Sequence, residues 1–143
     1  MIVKSLQYEK HVVTANKEVI AKDIDFLSNL ASRSNISIAY EASVGGGIPI
    51  VVPAKESLVA NEILKIEGIL NGTTNFILTK MFEGLDFNEA LKEAQRLGFA
   101  ESDPTADLEG YDMMRKIAIL SDLAWDTFID INQIPQIGIS KIT

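Results

Sequence analysis

Apolar residues recur at two spacings along the chain, and the alternation between them predicts its elements. Lys4 to Glu9 reads as the tail of a helix, and HVVTA (His11–Ala15) as a short buried strand. Asn16 is placed to cap a helix from Lys17 to about Ser34, where Ile20, Ile24, Leu27, Leu30 and Ala31 fall at helical spacing. Asn35 closes that helix, and ISIAYEAS (Ile36–Ser43) alternates as a strand does. Gly45-Gly46-Gly47 is a loop, because three glycines carry a heavy entropic penalty in either regular structure. Pro49 suits a first helical turn and predicts a short helix over 49–59. EILKIEGIL (62–70) separates Ile63, Ile66 and Ile69 from Lys65 and Glu67 and predicts a further strand. Helices over about 73–83 and 87–97 follow, broken by Gly84 and Gly98. A longer helix is expected from about 107 to 127, and a late strand in IPQIGISKI. The sum is an α+β fold, a mixed sheet covered by helices on one side.

Length and composition narrow the class. The 143 residues fit one domain, 1–143, with a core that needs no staples. There is no cysteine, so disulfides, thiolate metal sites and thiol nucleophiles are excluded. The formal net charge of −7 argues against a nucleic-acid or membrane-surface footprint, which wants clustered Lys and Arg. MIVKSLQYEK lacks the apolar region of a signal peptide, and no apolar run is long enough to span a bilayer. A soluble, cytoplasmic protein is expected. No G-x-G-x-x-G follows a strand and no G-x-x-x-x-G-K-[ST] occurs, so a complete dinucleotide site is not encoded here.

Chemistry concentrates in GFAESDPTADLEGYDMMRK (Gly98–Lys116), where Glu101, Asp103, Asp107, Glu109 and Asp112 precede Arg115 and Lys116. Asp112 and Lys116 stand at i and i+4, hence on one helical face. Alone, such a pair is usually a weak surface ion pair. Asp103-Pro104 alone is a helix start, the carboxylate capping and the proline in the first turn. Asn71 and Thr73 can be read as caps of the helix that follows, and the lone His11 as a packing or surface residue.

Those readings do not explain why the acidic run occurs together with VVTANK (Val12–Lys17), YEASVGGGIPI (Tyr40–Ile50) and EGILNGTTNFIL (Glu67–Leu78). The four segments, in this order and at these spacings, resemble the homoserine dehydrogenase family from about Val12 to Ile142. The resemblance implies the substrate-binding, catalytic and dimer-forming part of an NAD(P)-dependent oxidoreductase. That enzyme interconverts L-homoserine and L-aspartate 4-semialdehyde in threonine and methionine biosynthesis. The nucleotide-binding domain would lie elsewhere in a longer enzyme, with Met1 a trimmed start, and the isolated piece would be inactive.

By that resemblance, Lys116 is the catalytic lysine that relays the proton of the substrate hydroxyl. Lys17 is a second lysine near nicotinamide and substrate, catalytic and cofactor-binding. Glu101 and Asp112 bind homoserine, and Asp107 is another acid lining the site. The chemistry agrees: the ammonium of a zwitterion needs carboxylates, its carboxylate needs a cation, and alcohol oxidation needs a base. A monovalent cation such as sodium is implied at Glu41, Val44, Gly46 and Ile48, held mainly by main-chain oxygens. The alternative for that loop is a tight turn whose glycines only permit positive φ. A homodimer is implied, with neither nucleic acid nor membrane as partner. The rival function is a non-enzymatic module that dimerises or binds an amino acid. Enzymes that oxidise aldehydes through a cysteine adduct are excluded, since the chain has none.

Overall fold

The computed structural model describes residues 1–142, and the chain divides into two compact units. The first comprises 1–66 and 115–134, the second 67–114 with the segment from Pro135.

In the first unit, helix α1 (Ile2–Gln7) leads into strand β1 (Val12–Val13), then helix α2 (Lys17–Arg33) and strand β2 (Ile38–Ala39). The Asn16 side chain accepts from Val19 N–H over 3.2 Å, so the expected cap starts α2. Ile20, Ala21, Ile24, Leu27 and Ala31 are the buried stripe of α2, as their spacing predicts. Asn35, at φ 52°, turns the chain out of it. β1 and β2 pair in parallel, Val12 with Ile38 and Val13 with Ala39. His11 Nδ1 accepts from Ser37 N–H at 3.2 Å and lies 2.9 Å from Ser37 Oγ, which pins the edge of that pair.

The α+β class holds, yet the sheet is smaller than expected: among the described residues it is two parallel strands rather than a mixed sheet. ISIAYEAS alternates in burial up to Tyr40, but only Ile38–Ala39 form a ladder before the chain coils into a 3₁₀ turn at Glu41–Ser43. Alternation marks the faces of an extended segment and does not provide its hydrogen-bond partner. The same reason corrects 62–70 and IPQIGISKI, which are not strands among the described residues. In place of a helix over 49–59, helical structure begins at 51 and passes into a π-helical turn, Pro53–Ser57. Pro49 stays outside it.

The second unit holds helices α3 (Gly72–Phe82), α4 (Phe87–Arg96) and α5 (Thr105–Leu108). α3 packs on both α4 and α5. Asp86 and Glu89 form a reciprocal capping box at the start of α4. Ile77, Ala90, Ala94, Ala100, Leu108 and Ile139 make its core, with Phe76 stacked on Phe99 at 4.6 Å. The helix expected over 107–127 is two elements, α5 and then α6 (Tyr111–Trp125). The break is Gly110, whose φ of +85° belongs to the left-handed region that a side chain resists. α6 begins in the second unit and runs on through the first.

Candidate functional site

Asp107 and Asp112 meet at one side chain. Asn71, which precedes α3, donates from Nδ2 to Asp107 Oδ1 at 2.7 Å and to Asp112 Oδ2 at 2.8 Å. Its own Oδ1 accepts from Thr74 N–H at 2.8 Å. Asn71 therefore caps the helix, as expected, and also bridges two carboxylates, which capping alone does not require. Asn71 and Asp112 are 5% and 4% exposed, so this is a buried polar cluster in which charge-assisted bonds count. Thr73 Oγ1 donates to Phe99 O at 2.6 Å and fixes the neighbouring turn.

Glu101 is exposed, and its main-chain oxygen accepts from Gln95 Nε2 at 3.2 Å. Its carboxylate is not among the groups held by Asn71. Asp103 is occupied locally, its Oδ1 accepting from Thr105 Oγ1 at 2.6 Å and Thr105 N–H at 3.2 Å. Those two bonds, the hydroxyl's first, hold its carboxyl below the ordinary range. Asp103 thus makes a local turn at the entry to α5 rather than the expected cap: the N-cap position is Pro104, and no side chain caps that helix.

The lysines belong to the first unit. Lys17 is the first residue of α2 and Lys116 lies one turn beyond Asp112 in α6; both are half-buried. Glu18 and Arg115, the neighbours of these lysines in sequence, form an ion pair at 3.6 Å. The loop carrying Glu41, Val44, Gly46 and Ile48 is also in this unit. The Glu41 carboxylate accepts from the N–H groups of Ile50, of Val51 at 2.8 Å and of Val52 at 2.7 Å. Partial burial raises its pKa, and the three donors outweigh burial, leaving the carboxyl below its ordinary value. Glu41 is thus a remote cap for the helical turn that begins at 51, a role its sequence separation concealed. A Cβ on Gly45 would collide with the main-chain oxygen of Ile48, so the loop closes only with glycine there. Ser43 Oγ, in a residue 2% exposed, is buried without a hydrogen-bond partner.

A sequence profile described as homoserine dehydrogenase matches residues 49–143. The chain belongs to the homoserine dehydrogenase family. It is 52% identical over 143 residues to the homoserine dehydrogenase of Methanocaldococcus jannaschii, covering 99% of this chain and 43% of that protein. The Bacillus subtilis homoserine dehydrogenase is 50% identical over 143 residues, covering 99% of this chain and 33% of its own. Among solved structures, that of a homoserine dehydrogenase from Thiobacillus denitrificans superposes with a TM-score of 0.91 at 42% identity, covering 99% of this chain and 33% of that one. A hyperthermophilic archaeal homoserine dehydrogenase in complex with NADPH gives 0.90 at 35% identity, covering 99% and 44%. The chain thus spans between a third and a little under half of these family members. Among its described residues, no helix is long and apolar enough to cross a membrane.

Proposed function

We propose that this chain supplies the substrate-binding and catalytic groups of an NAD(P)-dependent homoserine dehydrogenase, working joined to a nucleotide-binding region. The observation that carries the reading is Asn71 donating to both the half-buried Asp107 and the buried Asp112, the latter one turn before Lys116 in α6. In this reading Asp112 and Asp107, with Glu101, hold the substrate ammonium. Lys116 takes the hydroxyl proton on oxidation and returns it on reduction of the semialdehyde. Lys17 stands beside the cofactor; a lysine at the positive end of a 17-residue helix suits an anionic ligand. NAD(P), when bound, supplies the hydride acceptor. The reaction serves threonine and methionine biosynthesis, in the cytoplasm.

The loop suits a hard monovalent cation such as sodium. Gly45 lets the chain close tightly, Ser43 leaves a buried hydroxyl oxygen without a partner, and main-chain oxygens abound. The Glu41 carboxylate is committed to backbone N–H groups, so its main-chain oxygen would serve with those of Val44, Gly46 and Ile48. Such an ion would brace the loop. The chain further forms a symmetric homodimer without nucleic-acid or membrane partners. Leu64, 81% exposed, and Ile69, 76% exposed, support pairing of 62–70 with another chain.

The test is to produce the chain joined to its nucleotide-binding region and assay homoserine-dependent reduction of NAD(P). A folded, cofactor-binding protein with no homoserine-dependent turnover defeats the reading in favour of an amino-acid-binding module. Light scattering that finds monomers at micromolar concentration defeats the dimer.

A further inference from the structure

We infer that Glu18 and Arg115 are positioning residues whose ion pair sets the two proposed active-site lysines in one fixed arrangement. This rests on the assignment of Lys17 and Lys116 above. Arg115 Nη2 lies 3.6 Å from Glu18 Oε1. Glu18 follows Lys17 in the first turn of α2, and Arg115 precedes Lys116 in α6. The pair therefore links two helices at points one residue away from each lysine.

An exposed ion pair between flexible side chains usually does little, and Glu18, at 71% exposure, is such a partner. Arg115 is not. Its side chain is 22% exposed, and its Nε is buried with no hydrogen-bond partner. A guanidinium cannot shed its charge on burial, and an unpaired buried donor is costly. Packing thus holds Arg115, and Glu18 pairs with it, while Asp23 and Asp130 line the cavity beside them. The pair borders a cavity of about 420 Å³, also lined by Lys22, Phe128 and Asn132. That space leaves Glu18 room to move once the pair is broken. Stability alone does not account for a half-buried guanidinium with one buried, unpartnered nitrogen here, since apolar residues of similar volume usually serve as well. Setting α2 against α6 beside both lysines does account for it, because proton relay depends on placement to within about an ångström.

The experiment uses the enzyme with its nucleotide-binding region and compares Glu18→Gln, Arg115→Gln and the double variant with wild type and Lys116→Ala. Each single variant should lose about tenfold in kcat, with KM for homoserine and for the cofactor within about twofold. The double variant should be no slower than the slower single, because either change already breaks the pair. Should Arg115→Gln fail to fold, Arg115→Met, which keeps a stem of similar length without the charge, replaces it in the same cycle. Wild-type kcat in both single variants beside an inactive Lys116→Ala overturns this inference alone. So do losses that multiply in the double variant, or that fall on KM. Wild-type turnover in Lys116→Ala instead overturns the lysine assignment on which the inference rests.

Discussion

The amide of Asn71 donates to the carboxylate of Asp112 over 2.8 Å, and both residues are buried. The same nitrogen reaches Asp107 at 2.7 Å, while the amide oxygen caps α3 through Thr74. One side chain thus joins helix initiation to the spacing of two acids. Losing a cap costs about 1 kcal/mol and losing each bond to a charged group about 1.5 kcal/mol. Asn71→Ala, which removes the cap and two such bonds, should therefore destabilise the chain by about 4 kcal/mol, read as a lower denaturant midpoint at unchanged slope. Asn71→Ser keeps an acceptor for the cap and should lose about 3 kcal/mol. Equal losses in the two variants would mean that the amide donor contributes little.

Asp122 should lower stability at neutral pH. Partial burial, then Asp25 and Asp126, push its carboxyl above the ordinary 3.8, against the opposing effect of Lys55. The native state then holds the proton more tightly than the unfolded chain does. Stability consequently falls as pH rises from 3.8 through the native value, and the penalty is complete above both. Asp122→Asn should melt higher than wild type at pH 7, with the gain closing below pH 3.8, where both forms are neutral. A gain that persists unchanged in acid would point to packing rather than charge.

Glu41 carries the opposite sign. Its carboxyl lies below the ordinary 4.5 because the N–H groups of residues 50–52 outweigh partial burial. Its contribution is present above 4.5 and is lost as pH falls through the native value. Glu41→Gln should therefore melt lower than wild type at pH 7, and the two curves should converge in acid. Parallel melting temperatures at every pH would remove Glu41 from the role of cap.

What was legible in the sequence was mostly what acts over one helical turn. Asn16 bonds to Val19, and Gly84 and Gly98 end α3 and α4 where expected, because those signals sit beside the structure they specify. The misread segments depend on distant partners. EILKIEGIL has an extended pattern, but pairing is decided by a strand that its own residues do not name. Gly110 gives no local sign of its break, because a single glycine inside a helical pattern is tolerated unless φ must be positive, as it is here. The acids were visible as a run, whereas the bridging role of Asn71 was not. Its partners lie 36 and 41 residues away, and only the folded chain brings them to one amide. Glu41 is the same case: a carboxylate in a glycine loop gave no sign that it caps a turn nine to eleven residues on.

Lys116 and Asp112 separate the catalytic reading from a mere ion pair. With the nucleotide-binding region present, Lys116→Ala should reduce kcat by roughly 10²–10⁴-fold, the usual range for losing a general acid–base group. The fold should persist, since Lys116 is only half-buried. Asp112 needs a gentler change, because it is 4% exposed and accepts from Asn71, so alanine would leave a cavity as well as remove the charge. Asp112→Asn keeps shape and an acceptor for Asn71 while removing the charge that would hold the substrate ammonium. It should raise KM for homoserine at least about tenfold, with a smaller change in kcat, as expected of a binding group. A merely structural role forecasts otherwise: a loss of stability that is larger for the buried Asp112 than for Lys116, and unaltered kinetics in both variants. Steady-state rates beside melting temperatures distinguish the two. If both variants keep wild-type kcat and KM, the active site is not on this helix.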